Sequence, residues 1–196
     1  MASLLLRQPI TSLGSMPQQS FFIFRGTMLA DIRIIGAIDE DTYEAFCIKL
    51  DALENMPIKA RPKSVAVEIT SDGGSAYLAL AFVDRMRLSP MKFVTTGVGR
   101  VASAATLILA AGDVRRLTQE AWVMVHEDSG EVEGTVSEME AQIKHLRSME
   151  NQWNSLLSQY SRNKSKPAVF AELHKRGDVN LSPTECVALG LVDEII

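Results

Sequence analysis

Three short apolar runs rich in β-branched residues, Ile32–Ile38, Ser64–Ile69 and Phe93–Val98, recur roughly every 30 residues, and each interval carries a helical pattern. Strands linked by a helix pair in parallel, because a hairpin turns in a few residues and a parallel crossover takes a dozen or more. The alternation therefore predicts an α/β domain with a largely parallel sheet flanked by helices. Asp39, Glu40 and Asp41 supply a cap and first-turn acids for a helix running to about Asn55, with Tyr43, Phe46, Leu50 and Leu53 on one face. Pro57–Pro62 reads as a loop and Asp72-Gly73-Gly74 as a turn; Ser75–Leu88 reads as a helix closed by Pro90. Ser103–Ala111 is a further helix ending at Gly112, and Asp113–Leu117 and Trp122–His126 are further strands.

The second half changes character. Glu131–Gly134 suits a short strand, and Ser137 to about Tyr160 a long helix opened by a capping box, Ser137 to Glu140. Its apolar positions, Met139, Ile143, Leu146, Met149, Trp153 and Leu156-Leu157, form a stripe at spacings of three and four. So long a stripe exceeds what one small core needs, and part of it is expected to pack on another subunit. Lys166–Lys175 reads as another helix. Ser182-Pro183-Thr184-Glu185 caps the last one, Gly190 ends it, and Leu191–Ile196 reads as a closing strand.

The 196 residues are 46% hydrophobic and 22% charged, which supplies a real core and excludes a disordered chain. A net charge of −4 with no run of four Lys or Arg argues against a nucleic-acid partner. No apolar run approaches the roughly 18 residues that span a bilayer, so no membrane partner is expected. Cys47 and Cys186 match no metal spacing and read as buried, reduced thiols; no metal or other cofactor is expected. Residues 1–30, with Arg7, Arg25 and no acid before Asp31, read as an N-terminal arm that is flexible or processed, and the same composition suits an organellar presequence. Residues 31–196 form the remaining unit, and cytoplasm is the default location.

Three turns fall where the carboxyl ends of successive strands are expected, the edge at which parallel sheets bind ligands: Gly73-Gly74, Ser103 and His126. A serine between a strand and a helix presents its hydroxyl at an edge, beside backbone N–H groups that the helix leaves unpaired. That is what a nucleophile with half of an oxyanion hole requires. Of the three histidines, His145 lies among charged helix residues and His174 precedes Lys175-Arg176, so both read as solvated. His126 ends the apolar run Trp122–Val125 and is the candidate base. An acid should orient it; of 24 acids, Asp178 in the turn before the last helix is the best candidate, although an Asx-turn or solvated role suits that position as well.

These residues resemble the proteolytic-subunit family of the Clp protease, ClpP-like serine peptidases of the crotonase-like superfamily, from about Ile32 to Ile196. The resemblance rests on Ser71-Asp72-Gly73-Gly74-Ser75, Gly99–Gly112, Val123-Met124-Val125-His126 and Leu181–Asp193. It implies Ser103 as nucleophile, His126 as base, Asp178 as orienting acid, and the N–H groups of Gly73 and Ala104 as the oxyanion hole. It also implies substrate-binding segments at Asp72, Gly74 and Ser75 and at Glu127 and Asp128. A handle of about residues 128–160 would mesh heptameric rings into a tetradecamer, a chamber that degrades peptides or unfolded proteins.

The family's proline before the diglycine is Asp72 here, and its Gln-Pro pair after the histidine is Glu127-Asp128. This added negative charge predicts a cleft that favours Lys or Arg near the cut. The family's axial-loop segment is not visible in Ser15–Leu29, where an uncharged run, Gln18–Phe24, stands instead, so docking to an AAA+ unfoldase stays open. With no Gly-x-x-x-x-Gly-Lys motif, any ATP hydrolysis belongs to a partner. The competing readings are a catalytically silent ring subunit, an unfoldase-independent phage-type peptidase and a crotonase-type acyl-CoA enzyme.

Overall fold

The computed structural model describes residues 31–127 and 131–196; the arm at 1–30 and Asp128 lie outside them. The order is β1 (Ile32–Ile38), α1 (Glu40–Glu54), β2 (Ser64–Gly74), α2 (Ala76–Leu88), β3 (Lys92–Ala102), α3 (Ala104–Ala110), β4 (Val114–Leu117) and β5 (Trp122–Val125). There follow α4 (Val136–Tyr160), α5 (Pro167–His174), β6 (Val179–Leu181), α6 (Pro183–Leu189) and β7 (Glu194–Ile195). The sheet runs β1-β2-β3-β4-β7, with β5 beside β3 and β6 beside β5. Every pairing is parallel except β5 with β6, so the α/β architecture expected from the strand spacing is the one observed.

Strand alternation builds the core. Ile32, Ile34 and Ile38 of β1 and Val65, Val67, Ile69 and Ser71 of β2 face inward. Each large apolar side chain taken wholly out of water contributes about 1.5–3 kcal/mol. All seven residues of α3 are buried. Its alanines let it lie close under the sheet, where Thr106 Oγ1 donates to the Met124 carbonyl at 3.2 Å.

β3 is the strand that positions the site. Its first half, Val94–Gly97, pairs with β4, and its end, Arg100–Ala102, pairs with β5. The sheet forks there, and the residues that follow β3 and β5 emerge side by side. This strand and β2 are both longer than their apolar runs suggest. Gly73-Gly74, read from sequence as a turn, closes β2, and Gly99–Ala102, beyond the apolar run that ends at Val98, closes β3. Backbone pairing, Ser71 with Val101 and Ile38 with Gly74, extends the ladder past the last large side chains.

Several other expectations are corrected. Glu131–Gly134 is not a strand. The long helix starts at Val136, capped by Thr135 in a reciprocal box with Glu138, two residues earlier than the Ser137 box. The closing strand shrinks to Glu194–Ile195. Cys186 is buried, but Cys47 is only half-buried. The stripe on α4 divides: Met149 and Leu157 are buried against the rest of this chain, whereas Ile143, with Val136 ahead of the stripe, stands exposed. No described helix is long and apolar enough to cross a membrane.

The largest buried side chain is Arg115, 1% exposed, which donates through Nη2 and Nε to the Asp193 carboxylate at 2.7 and 3.2 Å. It also donates to the Tyr160 carbonyl, tying β4 to the end of α4 and to the chain's last turn. Burial by itself would raise the Asp193 carboxyl, but hydrogen bonds and charge from Arg115, with Arg162 beside it, outweigh that and hold it below its usual 3.8. The stabilisation is therefore present above pH 3.8 and is lost as pH falls through the lower folded value. Asp193→Ala, which strands the guanidinium, should cost about 3–5 kcal/mol in urea unfolding, and adding Arg115→Met should recover most of it.

Candidate active site

The fork in the sheet decides which side chains meet. Ala102 of β3 lies opposite Met124 of β5, so Ser103 and His126 follow from neighbouring strand ends. Val125 lies opposite Val179 of the antiparallel β6, so the residue before Val179 stands across from the residue after Val125. That places Asp178 beside His126. Ser71 pairs with Val101, which brings Gly73 level with Ser103. Four separate segments thus converge through backbone register.

At the centre His126 Nε2 lies 2.7 Å from Ser103 Oγ, a hydrogen bond of full strength by distance. Asp178 Oδ1 lies 3.6 Å from His126 Nδ1, an ion-pair separation too long for a hydrogen bond, and its side chain is 69% exposed. Ser103 holds φ 52° and ψ −122°, a left-handed conformation that a serine adopts only under strain. Its N–H is tied to the Met124 carbonyl at 2.8 Å, so the turn is pinned to β5. The strained turn aims the hydroxyl away from the helix axis, consistent with its making no cap bond to α3.

Gly73 is present because nothing larger fits. With φ at +98°, a Cβ there would lie 2.7 Å from Ser103 Cβ and 2.8 Å from the Ala102 carbonyl oxygen. It would also stand 3.1 Å from the Ala104 nitrogen. The two N–H groups proposed from sequence as an oxyanion hole, those of Gly73 and Ala104, are accordingly close together. They are not equivalent. Ala104 opens α3, where the first N–H groups have no partner within the helix. The Gly73 N–H already donates to Ser71 Oγ at 3.0 Å, in a buried bond not foreseen from the sequence.

The other sequence candidates separate. Gly74 lines the pocket beside Ser103. The Ser75 hydroxyl is used as the N-cap of α2, accepting from the Leu78 N–H. Asp72 points to solvent, 85% exposed, and pairs with Arg100 Nε at 2.8 Å, so its charge is partly answered on the rim. Glu127 is exposed, and Asp128 lies outside the described residues. His145 is exposed as expected, its ring nitrogen 2.7 Å from Tyr77 Oη.

His174 is the main correction. It is buried, 3% exposed, and lines the same pocket of about 50 Å³ as Ser103 and His126. Met149, Glu150 and Trp153 of α4 line it too. The signal for His174 lay in α5, where it follows Phe170 by four residues on the buried face, and the charged Lys175-Arg176 obscured it. Burial, reinforced by the nearby His126, pushes its imidazole below the usual 6.5, against a smaller opposing pull from Glu127. No cluster of described residues could hold a metal.

Two outcomes follow. Because the folded value for His174 is depressed, its contribution to stability is complete above pH 6.5 and is lost as pH falls from there through the folded value. His174→Phe should flatten that acid limb when urea midpoints are compared at pH 7 and pH 5. At the strained turn, Ser103→Gly should unfold about 1 kcal/mol later than Ser103→Ala, since glycine relieves the positive φ at some entropic cost.

A chain with this fork, this serine–histidine pair and this glycine contact can be compared with known families. The family model described as Clp protease matches residues 22–196, beginning within the segment set apart as an arm and running to the last residue. The chain belongs to the Clp protease family, whose members are in general serine peptidases.

Proposed function

We propose that this chain is a serine endopeptidase in which Ser103 is the nucleophile, His126 the general base and Asp178 the acid that orients the imidazole. The observation that carries the reading is the 2.7 Å contact between Ser103 Oγ and His126 Nε2 at the fork of the sheet. Nε2 accepts the hydroxyl proton as Oγ attacks the peptide carbonyl, and the resulting imidazolium returns that proton to the leaving amine. Water then repeats the sequence on the acyl-enzyme. The Ala104 N–H receives the developing oxyanion first. The Gly73 N–H joins it when Ser71 Oγ turns away, an exchange of one buried acceptor for a charged and therefore stronger one. Asp178 has about 0.5 Å or more to close before it bonds Nδ1–H, a tightening that free enzymes commonly leave to the substrate complex.

Clp protease family members generally form oligomeric rings. The exposed half of α4, with Val136 and Ile143, suits the contact between rings, and the chamber so enclosed would take peptides or unfolded proteins. Ser103→Ala should abolish labelling by a fluorophosphonate and lower peptide turnover by about ten-thousandfold, with the oligomer intact by gel filtration. Asp178→Asn should keep labelling but lower kcat by roughly a hundredfold or more. An assembled wild-type oligomer that takes up no fluorophosphonate would make the chain a silent ring subunit.

A further inference from the structure

Resting on the peptidase reading, we propose that the pocket beside Ser103 receives the side chain of the residue whose carbonyl is attacked, and that Glu150 makes this a site for lysine or arginine. Ser103 and Ala104 both contribute to its wall. The carbonyl carbon held on Ser103 Oγ and the oxygen held on the Ala104 N–H carry the adjoining α-carbon with them, so its side chain is the one delivered there. The amine on the other side of the cut departs toward His126 Nε2.

The walls divide by chemistry. Val125, Met149 and Trp153 offer apolar surface to an aliphatic stem. Among the described residues, two ionisable groups besides His126 line the pocket, His174 and Glu150. Burial keeps His174 in its uncharged form near neutral pH, so it adds no positive charge. Glu150 sits one residue after the buried Met149, is itself half-buried, and makes no ion pair with any described residue. A carboxylate in the pocket wall with no cation beside it among the described residues offers a cationic side chain a charge-assisted hydrogen bond. Of the acids first expected to set this preference, Asp72 and Glu127 do not line the pocket, Asp72 is paired with Arg100, and Asp128 lies outside the described residues. Among the described acids, the charge that selects the substrate therefore comes from α4 and not from the end of β2.

The test separates the pocket from the chemistry. Fluorescent peptides of one sequence, ending in Lys, Met or Glu to mimic the acyl-side product, are titrated by anisotropy against the full-length Ser103→Ala oligomer, where no turnover intervenes. The Lys peptide should bind roughly tenfold more tightly than the Met peptide, and the Glu peptide most weakly. Adding Glu150→Gln should bring Lys and Met within about twofold, and Glu150→Lys should place Glu ahead of Lys. Equal binding of Lys and Met, or a preference untouched by Glu150→Gln, overturns the proposal. Fluorophosphonate labelling of the wild type reports on the peptidase reading separately: labelled Ser103 with no Lys preference sinks the pocket alone, and Lys preference without labelling supports the pocket and sinks the chemistry.

Discussion

The absence of a side chain at residue 73 is the constraint on which the site depends. A Cβ there would overlap Ser103, the Ala102 carbonyl and the Ala104 nitrogen, so any larger residue would push β2 away from the turn after β3. With that contact made, the two strands run on past their apolar cores and end together. Ser103 can then hold its positive φ, because the turn is bound to Met124 on one side and packed by Gly73 on the other. Strain of about 1–3 kcal/mol is affordable at one residue when the adjoining helix is wholly buried.

Parallel α/β architecture was legible because it follows from spacing alone, and the meeting of Ser103 with His126 was legible because both follow apolar strands. Asp178 needed more. Its place depends on a three-residue antiparallel strand, Val179–Leu181, pairing with β5 across more than 50 residues of chain, and so short a run carries no periodicity of its own. The strained φ of Ser103 was invisible, since positive φ is announced in sequence only by glycine or asparagine. His174 and Glu150 were both missed. Charged neighbours decided the reading of His174 and Glu150 received none, whereas the packing of α4 on α5 decides their surroundings.

Electrostatics around the site also rearrange once distances are known. The turn acids appear in sequence as a wall of negative charge, yet Asp72 is an exposed residue in contact with Arg100. Exposed pairs contribute little stability, typically below about 1 kcal/mol, but they reduce the field that either charge projects. Glu150 lines the pocket itself and pairs with no cation among the described residues, so its charge acts on a bound side chain at closer range than the rim carboxylate does.

Helix α4 links this preference to the rest of the molecule. Its C-terminal half is fixed by this chain's own core through Met149 and Leu157, and the Arg115 bond to the Tyr160 carbonyl anchors its end. Glu150 and Trp153 belong to that fixed half, so the pocket wall is set by intrachain packing. The exposed half, from Val136 to Ile143, extends the same helix away from the pocket over roughly two turns. A continuous hydrogen-bonded helix does not kink sharply without a cause such as proline, glycine or an inserted side chain, and the sequence from Val136 to Tyr160 contains neither proline nor glycine. One rigid element thus carries both an unpartnered apolar surface and a wall of the substrate pocket, and the orientation of the first cannot change without displacing the second.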